Sequence, residues 1–217
     1  IFQKKRILVK NIPIIIQGSG VLTKKFTEGK QKKIYDLIFH SRIIKDKGIF
    51  EIIDALKILR NKNINLKALI LGDPDDKNRS SITLNQLDLW VKENLIIWKS
   101  KVKNVIPFLQ KSKISILPSY REGLPKGLLE AASCKLPLIS TNVPGCREIC
   151  KNNFNGFLVK PKDSESLAKS IERLIFDERL MKKFGANSRK LVQQRFSADI
   201  VFKNFLDIFS KVLKKDL

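Results

Sequence analysis

Two carboxylates eight residues apart, Glu122 and Glu130, frame a stretch of small and flexible residues in Pro118-Ser119-Tyr120-Arg121-Glu122-Gly123-Leu124-Pro125-Lys126-Gly127-Leu128-Leu129-Glu130-Ala131-Ala132. A carboxylate accepts two hydroxyls at once, as a ribose or hexose diol requires. The stretch follows an apolar run at 114–117 and opens a helix. Pro125 suits the first helical position, where its missing N–H would be unpaired anyway. Gly123 and Gly127 let backbone approach a ligand closely. The expected result is a loop and helix N-terminus whose free N–H groups suit a phosphate. Glu130 then lies about two turns beyond Glu122 and faces the same crevice. The same pattern also fits a helix-capping Glu122 and an ordinary exposed Glu130.

A second cluster, Arg42-Ile43-Ile44-Lys45-Asp46-Lys47-Gly48, follows an expected strand over 34–40. Arg42 and Lys47 lie on the ligand side just before a helix, where they could clamp a diphosphate and stabilise its charge as it leaves. In a chain with 43 Lys and Arg, solvated surface charge is the competing reading. Asp73-Pro74-Asp75-Asp76 offers a metal-binding acidic pair or a polar turn, and Pro and Asp favour the turn. Cys134, Cys146 and Cys150 are an odd number and His40 is the only histidine, so reduced thiols are expected rather than a disulfide framework or a zinc site.

The elements that must position these residues alternate. Short apolar runs at 12–17, 34–40, 66–71, 95–98, 114–117, 136–140 and 156–159 read as strands buried on both faces, as in a parallel sheet. Ile49, Ile52, Ile53, Leu56 and Leu59 mark one face of a helix. Leu167, Ala168, Ile171, Leu174 and Ile175 mark another, capped by Asp163 or Ser164. From Ser197, Val201, Phe202, Phe205, Phe209 and Val212 form a further stripe. Such alternation predicts right-handed βαβ units in a Rossmann-like, doubly wound parallel α/β sheet, with ligands at the C-terminal ends of the strands.

The length of 217 residues fits one such domain. No apolar run approaches the roughly 18 residues of a membrane span. The net charge of +22 favours a polyanionic partner in general, against a background rich in Ile, Asn and Lys, and names none. Residues 1–33 contribute nine Lys or Arg against one Glu. A nucleic-acid-binding domain is a second class, but no helix-turn-helix, zinc finger or aromatic-interleaved strand pattern supports it. A non-catalytic nucleotide-binding module is a third.

Arg42 and Lys47, followed by Glu122 and Glu130 spaced as E-x7-E, resemble the donor-site signature of retaining GT-B glycosyltransferases of family four. The resemblance continues through Thr141-Asn142-Val143-Pro144-Gly145-Cys146-Arg147-Glu148-Ile149 and Asn155-Gly156-Phe157-Leu158-Val159 to Asp163, and covers the chain from about Pro13 onward. It is close to the subgroup that extends diphospho-undecaprenol-linked glycans, N-acetylgalactosaminyltransferases among them, with similar counterparts to Gly72-Asp73-Pro74-Asp75, Ser81-Ile82 and Trp90. The resemblance implies the C-terminal half of a GT-B fold, with residues 1–17 the remnant of an N-terminal acceptor domain, 18–33 a linker, 34–195 the donor-binding domain and 196–217 a helix crossing back. A chain that begins at Ile1 is expected to be a fragment, inactive alone.

By the same resemblance, Arg42 and Lys47 bind the donor diphosphate, aided by amides at Gly127 and Leu128, and losing either costs about 3 kcal/mol of barrier. Glu130 holds the ribose hydroxyls. Glu122, Gly123, Leu124, Pro125 and Lys126 meet the sugar near the reacting carbon, and Val102 holds the base through its backbone. The implied reaction transfers a hexose or N-acetylhexosamine from a UDP-sugar, with retention and without metal, to a lipid-linked or polysaccharide acceptor. The implied setting is the inner face of a bacterial plasma membrane, with an anionic membrane surface as partner and no nucleic acid. Ser41 and Ser100 depart from the pattern, which often has Gly at both positions.

Overall fold

Leu37-Ile38-Phe39 and Ala68–Leu71 offer no polar face to water, and in the fold both runs are buried throughout. The computed structural model describes residues 18–213. Six strands, β1 (Tyr35–His40), β2 (Ala68–Leu71), β3 (Ile97–Lys99), β4 (Ser112–Leu117), β5 (Leu138–Thr141) and β6 (Gly156–Val159), pair in parallel in the order β3-β2-β1-β4-β5-β6. Eight α-helices accompany them among the described residues: α1 (Ile49–Asn61), α2 (Leu84–Lys92), α3 (Ile106–Gln110), α4 (Lys126–Ser133), α5 (Pro144–Ile149), α6 (Ser164–Ile175), α7 (Glu178–Arg195) and α8 (Ala198–Leu213). This is the expected doubly wound α/β sheet. Strand order runs outward from β1 to β3 on one side and from β4 to β6 on the other. Right-handed crossovers therefore place α1 and α4 on opposite faces. The order reverses between β1 and β4, and a crevice opens outside their C-terminal ends.

Local sequence accounts for the helix boundaries. Asp163 caps α6 by accepting from Ser166 N at 2.9 Å, and hydrogen bonds from Ser166 hold its carboxyl below the usual range. Thr83 and Gln86 form a reciprocal capping box at α2. Leu167, Ala168, Ile171 and Leu174 bury the apolar stripe of α6, which packs on α1.

Several expected strand bounds move. The run at 95–98 begins with Leu95, whose N–H closes the end of α2 on Trp90 O, so pairing starts only at Ile97. The run at 136–140 begins with Leu136, whose N–H returns to Ala131 O, and β5 starts at Leu138. The expected strand at 12–17, like the rest of 1–17, lies outside the described residues.

The stretch 18–33 carries no regular helix or strand, but its first half is fixed to the domain. Val21 is buried, donates to Phe196 O at 2.9 Å and accepts from Ala198 N at 2.9 Å. Arg189 gathers the chain from α7: it donates to Thr23 O at 2.8 Å, to Ser133 O at 2.6 Å and to Phe26 O. Three carbonyls from two distant segments thus share one guanidinium, a donor set that a Lys point charge would not reproduce. Arg189→Met keeps the stem and leaves those acceptors short of a donor. It is expected to cost about 3 kcal/mol, read as a lower denaturant midpoint at unchanged slope.

Burial pushes all three thiols up, that of Cys134 to about 12. They are free and buried, so a maleimide at neutral pH should label none of them until the chain unfolds.

Candidate functional site

The loops after β1 and β4 meet at the point where strand order reverses, and close backbone contacts hold them together. Gly48 adopts φ 79°, and a Cβ there would stand 2.2 Å from Pro118 O. Tyr120 N donates to Asp46 O at 2.9 Å and Ser119 Oγ to the same carbonyl at 3.0 Å. Thr141, at the end of β5, donates its hydroxyl to Ser119 O. From α5, Gly145 lies so near that a Cβ would stand 2.2 Å from Gly123 O. The Thr141–Gly145 segment is therefore a wall against which the Glu122–Gly123 loop is shaped.

Pro125 proves to be the cap of α4 rather than its first helical residue. Its ψ of 110° is extended, and its carbonyl accepts from Leu128 N at 3.1 Å, so the helix begins at Lys126. No side chain caps this end, so the N–H groups of Lys126 and Gly127 remain available to an anion, whereas that of Leu128, expected to join them, is taken by Pro125 O. Gly127 packs this turn on the end of β1, where a Cβ would stand 3.0 Å from His40 Nε2.

A cleft of about 770 Å³ opens here. Arg42, Val102, Lys126 and Glu130 all line it, as do His40 and Asp75. Five cationic residues (Lys25, Arg42, Lys101, Lys103, Lys126) face three acidic ones (Asp73, Asp75, Glu130), a balance suited to an anionic ligand. Lys47 and Glu122 do not line this cleft. They pair with each other beside it, Nζ to Oε1 at 2.5 Å, with side chains 16% and 11% exposed. Of the two carboxylates expected to face one crevice, Glu130 is among the residues that line this cleft and Glu122 is not. Glu130 opens into it, whereas the close approach of the 46–48 and 118–122 loops turns Glu122 onto Lys47. Gly123, Leu124, Pro125, Gly127 and Leu128 supply the loop and turn between them, and Leu128 itself is buried in the core.

Arg42 is paired as well, to Asp75 Oδ2 at 2.6 Å, although its side chain is 59% exposed. Asp73 accepts from Lys101 N at 3.2 Å, so the acidic turn after β2 ties the loops of β1, β2 and β3. Trp98 Nε1 donates to Gly72 O at 2.9 Å and holds the same turn from β3.

Two contributors escape sequence reasoning. His40 is the only histidine of the chain, and its place at the end of an expected strand, two residues before Arg42, is the signal that sequence offers. The other is a brace formed by Tyr120, whose hydroxyl donates to Glu51 Oε1 at 2.6 Å in the first turn of α1. Lys162 lies over the Tyr120 ring at 5.2 Å.

With the geometry in place, the family follows. The model of glycosyl transferases group 1 matches residues 21–191. The chain belongs to that family. Among glycosyl transferases group 1 and their relatives, it is 34% identical over 174 residues to the capsular polysaccharide biosynthesis glycosyltransferase CapM of Staphylococcus aureus, covering 80% of this chain and 45% of that protein. It is 24% identical over 227 residues to a Campylobacter jejuni N,N'-diacetylbacillosaminyl-diphospho-undecaprenol alpha-1,3-N-acetylgalactosaminyltransferase, covering 98% and 58%. The chain spans about half the length of these curated relatives. Anabaena HepE in complex with UDP superposes with a TM-score of 0.79 at 19% identity, covering 88% of this chain and 56% of that one. The C-terminal domain of a group 1 protein, LpcC of Francisella tularensis, gives 0.70 at 26% identity and is covered over 99% of its length, against 82% of this chain. The fold is the C-terminal half of the GT-B arrangement.

Burial, then the hydrogen bond to Glu51, raises the Tyr120 hydroxyl above the ordinary tyrosine value. A raised native value means that the brace stabilises fully below the unfolded value near 10 and weakens as pH rises beyond it. Tyr120→Phe leaves Glu51 buried without this donor and should cost about 2 kcal/mol at pH 7. Chemical denaturation across pH should show the gap to wild type narrowing above pH ~10.

Proposed function

We propose that the chain is the nucleotide-sugar-binding half of a retaining glycosyltransferase of bacterial surface glycan assembly, with a UDP-hexose or UDP-N-acetylhexosamine as donor. The observation that carries this reading is the switch-point cleft, where Arg42, Lys126 and Glu130 converge with the uncapped start of α4 in a group 1 chain. HepE, of the same fold, was solved with UDP. An Escherichia coli relative, 26% identical over 208 residues, is named as a UDP-Gal-dependent galactosyltransferase acting on a diphosphoundecaprenol-linked sugar.

In this reading the diphosphate lies against the first turn of α4 between Lys126 and Arg42, and Glu130 accepts the ribose diol. The Val102 loop takes the base. Arg42 leaves Asp75 for the phosphate at little cost, because an exposed pair contributes about 1 kcal/mol or less. Lys47, expected beside the diphosphate, is instead held by Glu122 and sets the edge where the sugar sits, while Arg42 and Lys126 match the charge of the departing UDP. No metal is required. The acceptor is a lipid-linked or polysaccharide glycan bound opposite this cleft by an N-terminal domain. The exposed Phe202, Phe205 and Phe209 of α8 would meet that domain. Basic surface would hold the enzyme at an anionic inner membrane face. No helix among the described residues is long and apolar enough to cross a membrane.

Titration calorimetry of the chain with UDP, UDP-N-acetylglucosamine and GDP, in the presence of a chelator, tests this. Uridine-selective binding is expected, weakened roughly 10- to 100-fold by Glu130→Ala, in line with loss of hydrogen bonds to a charged group. A folded chain that binds none of the three would overturn the reading.

A further inference from the structure

His40 ends β1 with its side chain 10% exposed, and its Nε2 has no hydrogen-bond partner among the described residues. A buried imidazole nitrogen without a partner is rare enough to call for a reason. The nearest acceptor is Glu130 Oε2, at 3.5 Å, on a side chain 14% exposed. That distance is short of a good hydrogen bond, and a shift of about 0.6 Å would make one. Gly127 lies three residues before Glu130, on the same face of α4, and a Cβ there would stand 3.0 Å from His40 Nε2. The helix is thus cut away where the ring needs room, and Nε2 faces the carboxylate.

We infer that His40 is the positioning residue of Glu130: its Nε2–H takes Oε2 when a ligand arrives, and so fixes the carboxylate plane for a vicinal diol. This rests on the reading of Glu130 as the ribose acceptor. A flexible Glu must present both oxygens in one orientation to accept two adjacent hydroxyls, and its remaining lone pairs must not be lost in doing so. A single donor at Oε2 from the side of the sheet meets both needs, because it leaves Oε1 and a lone pair of Oε2 to the ligand. Hydrogen bonds that are long in an empty site commonly tighten when ligand binds. Such a role predicts an effect confined to the ribose, not one spread over base and phosphate.

The test is titration of UDP and 2′-deoxy-UDP into wild type, His40→Phe, His40→Gln and Glu130→Gln, each first checked for an unchanged thermal midpoint. His40→Phe should weaken UDP roughly tenfold and leave 2′-deoxy-UDP within about twofold, collapsing the preference for ribose. His40→Gln, which keeps an N–H donor, should restore most of that preference. A folded His40→Phe that keeps the wild-type UDP to 2′-deoxy-UDP ratio, or weakens both equally, would refute the inference alone, provided that Glu130→Gln weakens UDP. Wild type that binds neither nucleotide would instead overturn the donor-site reading and this inference with it.

Discussion

The site depends on one constraint: the loop after β4 must lie within backbone contact of the loop after β1 on one side and of α5 on the other. Ordering irregular chain costs conformational entropy at every residue, and here few regular hydrogen bonds offset it. The contacts that do so are specific. Asp46 O receives both Tyr120 N and Ser119 Oγ, Ser119 O receives Thr141, and Gly48 and Gly145 admit carbonyls where any Cβ would collide. The Lys47–Glu122 pair is a consequence of that closure. Were the loops parted by even one side chain, the lysine and the carboxylate would face water separately. The start of α4, and with it Lys126 and Glu130, would lose its fixed distance from β1.

Electrostatics separates the two cations that sequence treats alike. Arg42 sits in solvent with Asp75 as a loose partner, and Lys47 is largely enclosed with Glu122. An exposed pair is readily exchanged for a phosphate, which offers more charge and a matching bidentate geometry. A partly buried pair is not, because removing one partner strands the other away from water. The same +22 chain therefore holds one cation in a loose, exposed pair and one in an enclosed pair. The surplus of Lys elsewhere adds positive potential around the cleft without fixing a particular site.

Much of the fold was legible because buried parallel strands and amphipathic helices leave patterns in the chain itself. Residues 156–159 and the α6 stripe are recovered with their bounds. Two failures have physical causes. Leu95 and Leu136 are apolar and buried, yet each N–H is taken by the preceding helix, so hydrophobicity marks them while pairing excludes them. The order at 23–26 is hidden because Arg189, more than 160 positions away, fixes Thr23 and Phe26 by their carbonyls, and a carbonyl has no signature in sequence. The long, polar α7 was likewise not singled out. Its apolar side narrows to Phe184 and Val192, with Gly185 set against Lys135 O.

The candidate site was legible only in part, and for a different reason. Glu130 and Arg42, marked out by type, spacing and a following helix, both line the cleft. Which residues share it could not be read from the chain, because that depends on how deeply one loop turns. Glu122 sits eight residues from Glu130 and still belongs with Lys47, since the Gly145 contact draws its loop toward α5 while α4 carries Glu130 back over β1. His40 shows the limit most clearly. A lone histidine at the end of an apolar run reads as a strand terminus. Only the three-dimensional gap left by Gly127 and the carboxylate of Glu130 across it give that imidazole a direction, and direction is what separates a buried side chain from one that can act on a ligand.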